Sequence, residues 1–319
     1  MKWIFGALVI AIAMGWVATA TIPAAAVSID QASLKFLPAD TQGIASIDVA
    51  GLRNVSLLKS VFDLYQPTIE GKLPEFLTVT GFVPQRDVDH VTLGKIGAQD
   101  TVAIIQARYD RVKAEQSMTD KGVQPETYLG HNIFPLDVQK GPNYRTGEVT
   151  FLDGLIVLGQ GDVVKKSLDQ MQIPGSAPLR SDLMAAIQTI DAGSQVWAVG
   201  DFSIGDLSAA GIRGPAPVMD MFKSLQSGTY QMHVDSGVHA RATANFADTD
   251  SAQNLRDLAN GALAVAKLQV AKQQPDMMHV LDGIQVSTSG PMLVVQIDEP
   301  GDLLKKLRGG LNQLKGQIR

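Results

Sequence analysis

Cysteine is absent from all 319 residues. Disulfides, thiolate nucleophiles and cysteine-ligated zinc or iron–sulfur sites are thereby excluded, so packing alone must hold the chain together. Basic charge never concentrates. The densest clusters are Lys165-Lys166 and Lys305-Lys306-Leu307-Arg308, and the formal net charge is −5. Nucleic-acid binding needs a dense basic face to neutralise phosphates, so it is not expected. Neither G-x-S-x-G nor H-E-x-x-H occurs, and no catalytic residue and no cofactor is nominated on motif grounds. What is present is ordinary for a globular fold: 45% hydrophobic, 18% charged and 6% aromatic residues. At roughly 150 residues per domain the length fits two domains.

The first segment has a different character. Met1-Lys2 is followed by Trp3 to Val17, apolar apart from glycine, then by small residues, with no charge before Asp30. A short basic start, an apolar stretch and a small-residue end predict a secretory signal peptide over residues 1–26. Ala24-Ala25-Ala26 is the expected cleavage site, with Ala18-Thr19-Ala20 as the second candidate. The alternative is an uncleaved leader, residues 3–26, anchoring the protein in a membrane, since about 20 apolar residues span a bilayer. Pro23 and the alanine run oppose a continuous span. The expected location is therefore periplasmic or extracellular, with membrane contact only through an uncleaved leader.

Beyond the leader, strands and helices alternate. Strands are predicted at 44–49, 88–96 and 101–108, a helix at 109–118, an extended segment at 127–136, and a hairpin over 148–158 turning at Asp153-Gly154. Asp162 is expected to cap a helix that runs to Met171. The loop from Pro174 to Pro178 is the best linker. The order then recurs: a strand at 196–202, helical pieces, a hairpin over 229–246, and a helix over 249–272 with Leu255, Leu258, Ala262, Val265 and Leu268 as its apolar stripe. A second hairpin over 284–297 and a last helix from Pro300 follow.

Three local matches accompany this recurrence. Thr41 to Val49 resembles Ser194 to Phe202, Gly161 to Lys166 resembles Gly301 to Lys306, and Arg108-Tyr109-Asp110 resembles Phe246-Ala247-Asp248. They predict an internal duplication. The expected fold class is α+β: two diverged copies of a strand–helix–hairpin–helix–hairpin–helix unit, residues 27–175 and 176–319, with antiparallel sheets each covered on one face by helices.

The opening segment Leu37-Pro38-Ala39-Asp40-Thr41, ahead of a strand and a helix, resembles that of a family of uncharacterised exported bacterial proteins. The resemblance covers the leader, this segment and the strand–helix rhythm. It implies export and an α+β fold, and no particular chemistry.

One constellation could carry chemistry. Around the turn Asp235-Ser236-Gly237, apolar and polar residues alternate on both flanks. Keeping both faces consistent sets Val234 opposite Val238 and His233 opposite His239. Opposed side chains lie about 5 Å apart at Cβ, close enough for His233 and His239 to share a metal ion. With no third ligand in sight, two solvated histidines at a hairpin tip are the favoured alternative. Gly159-Gln160-Gly161 opens like a phosphate loop, but position 164 is Val where a dinucleotide fingerprint needs glycine, so a strand-to-helix turn is expected. Asp48 and Asp201 occupy matching strand ends. They could form an acid/base pair, and helix capping is the commoner role.

Three functions are open on this reading. The first is a non-enzymatic exported binding or scaffold protein, with an unknown protein partner. The second is a carrier of an apolar small molecule between helix and sheet, which a large apolar cavity would favour. The third is a hydrolase without a recognisable motif, which a pocket holding a strongly perturbed histidine or carboxylate would favour.

Overall fold

Residues that alternate apolar and polar with a period of two dominate the chain, and they form strands. A computed structural model describes residues 31–55, 82–97, 100–137, 146–173, 179–202, 216–270 and 275–301. These residues fall into two compact units, one over 28–187 and one from 188 onward. The division between them follows the helix Ser181–Ile187.

The first unit contains helices α1 (Gln31–Leu34), α2 (Val49–Arg53), α3 (Pro84–Asp87), α4 (Arg111–Asp120), α5 (Val163–Met171) and α6 (Ser181–Ile187). Its strands are β1 (Thr41–Asp48), β2 (Val88–Ile96), β3 (Asp100–Ala107), β4 (Glu126–Tyr128), β5 (His131–Asp137), β6 (Thr146–Leu152) and β7 (Leu155–Gln160). They pair antiparallel in the order β1-β2-β3-β7-β6-β5-β4. The second unit has β8 (Val196–Asp201), α7 (Ala216–Met221), β9 (Leu225–Val234), β10 (Gly237–Phe246), α8 (Thr249–Val270), α9 (Pro275–Asp282), β11 (Ile284–Ser289) and β12 (Met292–Pro300). Its order is β11-β12-β10-β9-β8, again antiparallel.

The expected fold class is corrected by these pairings. Twelve strands of antiparallel sheet dominate the described residues, with the helices as minor additions, and the two halves are not copies of one helix-and-hairpin unit. Seven strands stand in one unit and five in the other. The physical reason lies in the connections. The first three strands of each unit pair in chain order, β1-β2-β3 and β8-β9-β10, so the chain meanders there and needs no crossover helix. Both units do close the same way: the third strand pairs with the unit's last, β3 with β7 and β10 with β12.

Coverage on one face is also corrected. In β7 the consecutive residues Ile156 and Val157 are 3% and 0% exposed. Neighbours in a strand point to opposite faces, so both faces of this sheet are buried. Ile156 joins a cluster with Ala114 and Met118 of α4, Phe134 and Phe151, while Val164 and Leu168 of α5 are buried and α5 packs on β7. In the second unit α8 packs through Ala252, Leu255, Leu263 and Ala266. Leu258, Val265 and Leu268, expected in its apolar stripe, are exposed. Two hydrogen bonds set the helix rotation: Arg256 donates to Thr288 Oγ1 (3.2 Å) and Asn260 Nδ2 to the Val286 carbonyl (3.4 Å).

The leader, residues 56–81 and 203–215, and the expected last helix beyond Gly301 lie outside the described residues. No described helix is long and apolar enough to cross a membrane.

Candidate functional site: the hairpin end of the second unit

The alternation that the sequence shows on β9 and β10 fixes their register. His239 pairs with His233 and Val238 with Val234, and β12 brings Asp298 opposite His239 from the other side. The turn is closed by Asp235, whose Oδ1 accepts the Gly237 N–H at 2.8 Å. One end of the sheet therefore gathers two imidazoles and two carboxylates.

Their contacts define each ring. His233 Nδ1 lies 2.8 Å from the Gly193 carbonyl oxygen, which can only accept, so this nitrogen carries the proton. His239 Nδ1 lies 2.7 Å from Asp298 Oδ1. Both Nε2 atoms then turn toward one carboxylate, at 3.7 Å from Asp235 Oδ2 for His233 and 3.4 Å from Asp235 Oδ1 for His239. The Gly237 N–H, followed by the two imidazoles, holds the Asp235 carboxyl below the usual carboxylate range despite partial desolvation. The rings stack with centroids 6.3 Å apart and planes 22° from parallel. Among the described residues no group of three or more His, Asp or Glu is placed to hold a metal ion.

Beneath this cluster, on the α8 side of β12, lies a residue that belongs to no sequence motif. Glu299 is 1% exposed, and neither carboxylate oxygen has a hydrogen-bond partner. Burial first, then the neighbouring Asp298 and Asp282, push its carboxyl up to about 7. Gly283 makes room for it: a Cβ there would stand 2.2 Å from Glu299 Oε1 and 2.6 Å from the Asp298 carbonyl. The signal was available, because Leu293, Val295, Ile297 and Glu299 alternate on one face and the first three are core residues.

A polar ladder runs from the histidines along β9 and β10. Gln231 faces Arg241, Thr229 bonds Thr243 through their hydroxyls at 2.8 Å, and Asn245 donates to Ser227 Oγ at 3.2 Å. Gln231 is buried, with its amide spent on Asp191: it accepts the Asp191 N–H at 2.7 Å and donates to Asp191 Oδ2 at 2.6 Å. Arg241 is half-buried between Gln231 and Gln296. Among the described residues, no hydrogen bond or ion pair engages its guanidinium.

The other sequence candidates resolve into structural roles. Asp48 caps α2, accepting the Gly51 N–H at 2.8 Å, and Asp201 ends β8. Gly159 lets α5 approach closely, since a Cβ there would meet Val163 and Val164 at 3.2 Å, and Gly161 turns the chain at φ 65°. That segment is a strand-to-helix turn.

No protein-family model and no curated protein matches the chain. Its fold is similar to that of TP0453. The solved structure of crystal form I of that protein superposes with a TM-score of 0.51 at 10% identity, covering 90% of this chain and 99% of that one. At that identity the likeness concerns the fold alone.

Proposed function

We propose that this chain is an exported, non-enzymatic binding protein, periplasmic or secreted, that takes an acidic group on the face of β9, β10 and β12 turned away from α8. The leader over residues 1–26 and the resemblance of the Leu37–Thr41 segment support export. The observation that carries the binding role is Arg241. A guanidinium offers five donors in a planar fork that matches a carboxylate or phosphate. Half-burying it without a partner costs free energy that an incoming anion would restore. The Thr229–Thr243 pair on one side and the two histidines on the other supply polar neighbours for the rest of such a ligand.

The test is calorimetric titration of the mature protein with a hexaglutamate peptide and, separately, with inorganic phosphate. Saturable binding that weakens at least tenfold in Arg241→Ala supports the reading, since a charge-assisted bidentate contact contributes roughly 1.5–3 kcal/mol. Binding unchanged by Arg241→Ala, or no binding of either probe, overturns it.

A further inference from the structure

The two ends of the described sheet strands are treated differently. In the first unit the terminal strand β4 has three residues, and Glu126 on it is ion-paired to Lys165 at 2.7 Å. Short length and charge defend an edge against pairing. In the second unit the terminal strand β11, Ile284–Ser289, has neither. It carries no charge and no proline, and its register with β12 runs without a bulge from Ile284 opposite Ile297 to Ser289 opposite Met292.

Which of its backbone groups are free follows from one bond. The Gly283 carbonyl accepts the Asp298 N–H at 3.1 Å, so position 283 points at β12. Antiparallel pairs alternate. Positions 285, 287 and 289 therefore point at β12 too, while Ile284, Val286 and Thr288 direct their N–H and C=O groups outward. The Asn260 amide, reaching the Val286 carbonyl at 3.4 Å, agrees with that direction. Among the described residues the outward N–H groups of Ile284, Val286 and Thr288 have no acceptor.

We propose that β11 pairs with β11 of a second copy of this chain, antiparallel about a two-fold axis through Val286. This edge complements itself. Val286 meets Val286 of the other copy and Ile284 meets Thr288, which closes about six main-chain hydrogen bonds. The charges are compatible: Arg256, which reaches Thr288, is paired to Asp257, and Asp282, two residues before Ile284, is paired to Lys267, so each end joins neutralised pairs with Arg256 of one copy near Asp282 of the other. The helices agree as well. Leu263 and Ala266 of α8 pack on Ile284 and Ile297, which sets α8 over the β11–β12 pair. With strands about 4.8 Å apart, the two-fold axis brings the two α8 axes to roughly 10 Å, a helix-contact distance. At 3.6 residues per turn, the side of α8 above the open edge carries Asn260, Gly261, Ala264 and Leu268, all exposed and mostly small.

The absence of cysteine makes the test specific. Gln285 and Ser287 are exposed, and in this dimer each faces the other across a non-hydrogen-bonded pair, with Cα atoms about 4.5 Å apart, inside the range a disulfide spans. The double variant Gln285→Cys/Ser287→Cys should become a covalent dimer under mild oxidation. Sedimentation of the unmodified mature protein at tens of micromolar should give twice the monomer mass. Ala264→Arg, on an exposed helix position that leaves the fold intact, should raise the dissociation constant at least tenfold. Val286→Pro should abolish pairing. A protein that stays monomeric at about 100 µM overturns the proposal. So does a dimer whose introduced thiols stay reduced and whose affinity Ala264→Arg leaves unchanged.

Discussion

Glu299 makes stability depend on pH in a calculable way. Its carboxyl is raised to about 7 from the ordinary 4.5, chiefly by burial. The folded state therefore holds its proton where the unfolded chain would release it. For an acid shifted upward, the stabilisation is complete below pH 4.5, declines as pH rises, and is lost above pH 7. The gap of about 2.5, at roughly 1.36 kcal/mol for each, gives about 3 kcal/mol. Glu299→Gln keeps the shape and cannot ionise, so it should lack this slope. The assay is urea denaturation from pH 4.5 to 8.5, read from Trp197, which is buried in the second unit and is the one tryptophan outside the first 26 residues. The wild type should lose about 3 kcal/mol relative to Glu299→Gln across that range, or roughly 6–12 °C in melting temperature. Other titrating groups are common to both proteins and cancel in the difference. Parallel pH profiles for the two proteins would refute the assignment of an unpaired buried carboxyl.

Three further outcomes are expected. Leu129 holds φ at 48° in the exposed Leu129-Gly130 turn between β4 and β5; Leu129→Gly should stabilise the first unit by roughly 1 kcal/mol in thermal denaturation, because glycine adopts that φ without strain. Asp110 accepts the Lys113 N–H at 3.1 Å and Asp248 the Ser251 N–H at 2.7 Å, each at the start of a helix. Replacing either by alanine should cost about 1 kcal/mol in the same assay. Zinc should not bind stoichiometrically at neutral pH, since among the described residues no group of three His, Asp or Glu is placed to hold an ion with His233 and His239. Calorimetric binding at micromolar or tighter affinity, lost in His239→Ala, would contradict that geometry.

By itself the sequence determined what depends on neighbours along the chain. Alternation on both flanks of Asp235-Ser236-Gly237 permits one register, and the structure sets His233 opposite His239 in it. Asp48 caps the helix that begins at the next residue, which is a local bond, whereas Asp162, at the expected start of its helix, makes no side-chain capping bond. The absence of cysteine excluded a whole chemistry before any fold was considered. Tertiary structure decided everything that distant segments supply. Asp298, from the last described strand, completes the histidine cluster, and the Gly193 carbonyl sets the His233 tautomer from a loop forty residues earlier. Glu299 is one alternating residue until Gly283 closes over it. The expected one-sided helical cover failed at Ile156 and Val157, and the apolar stripe of α8 failed at Leu258 and Val265. A strand's two faces and a helix's rotation are filled by whatever packs against them. Periodicity records which residues share a face, and the partner strands and helices decide whether that face is buried.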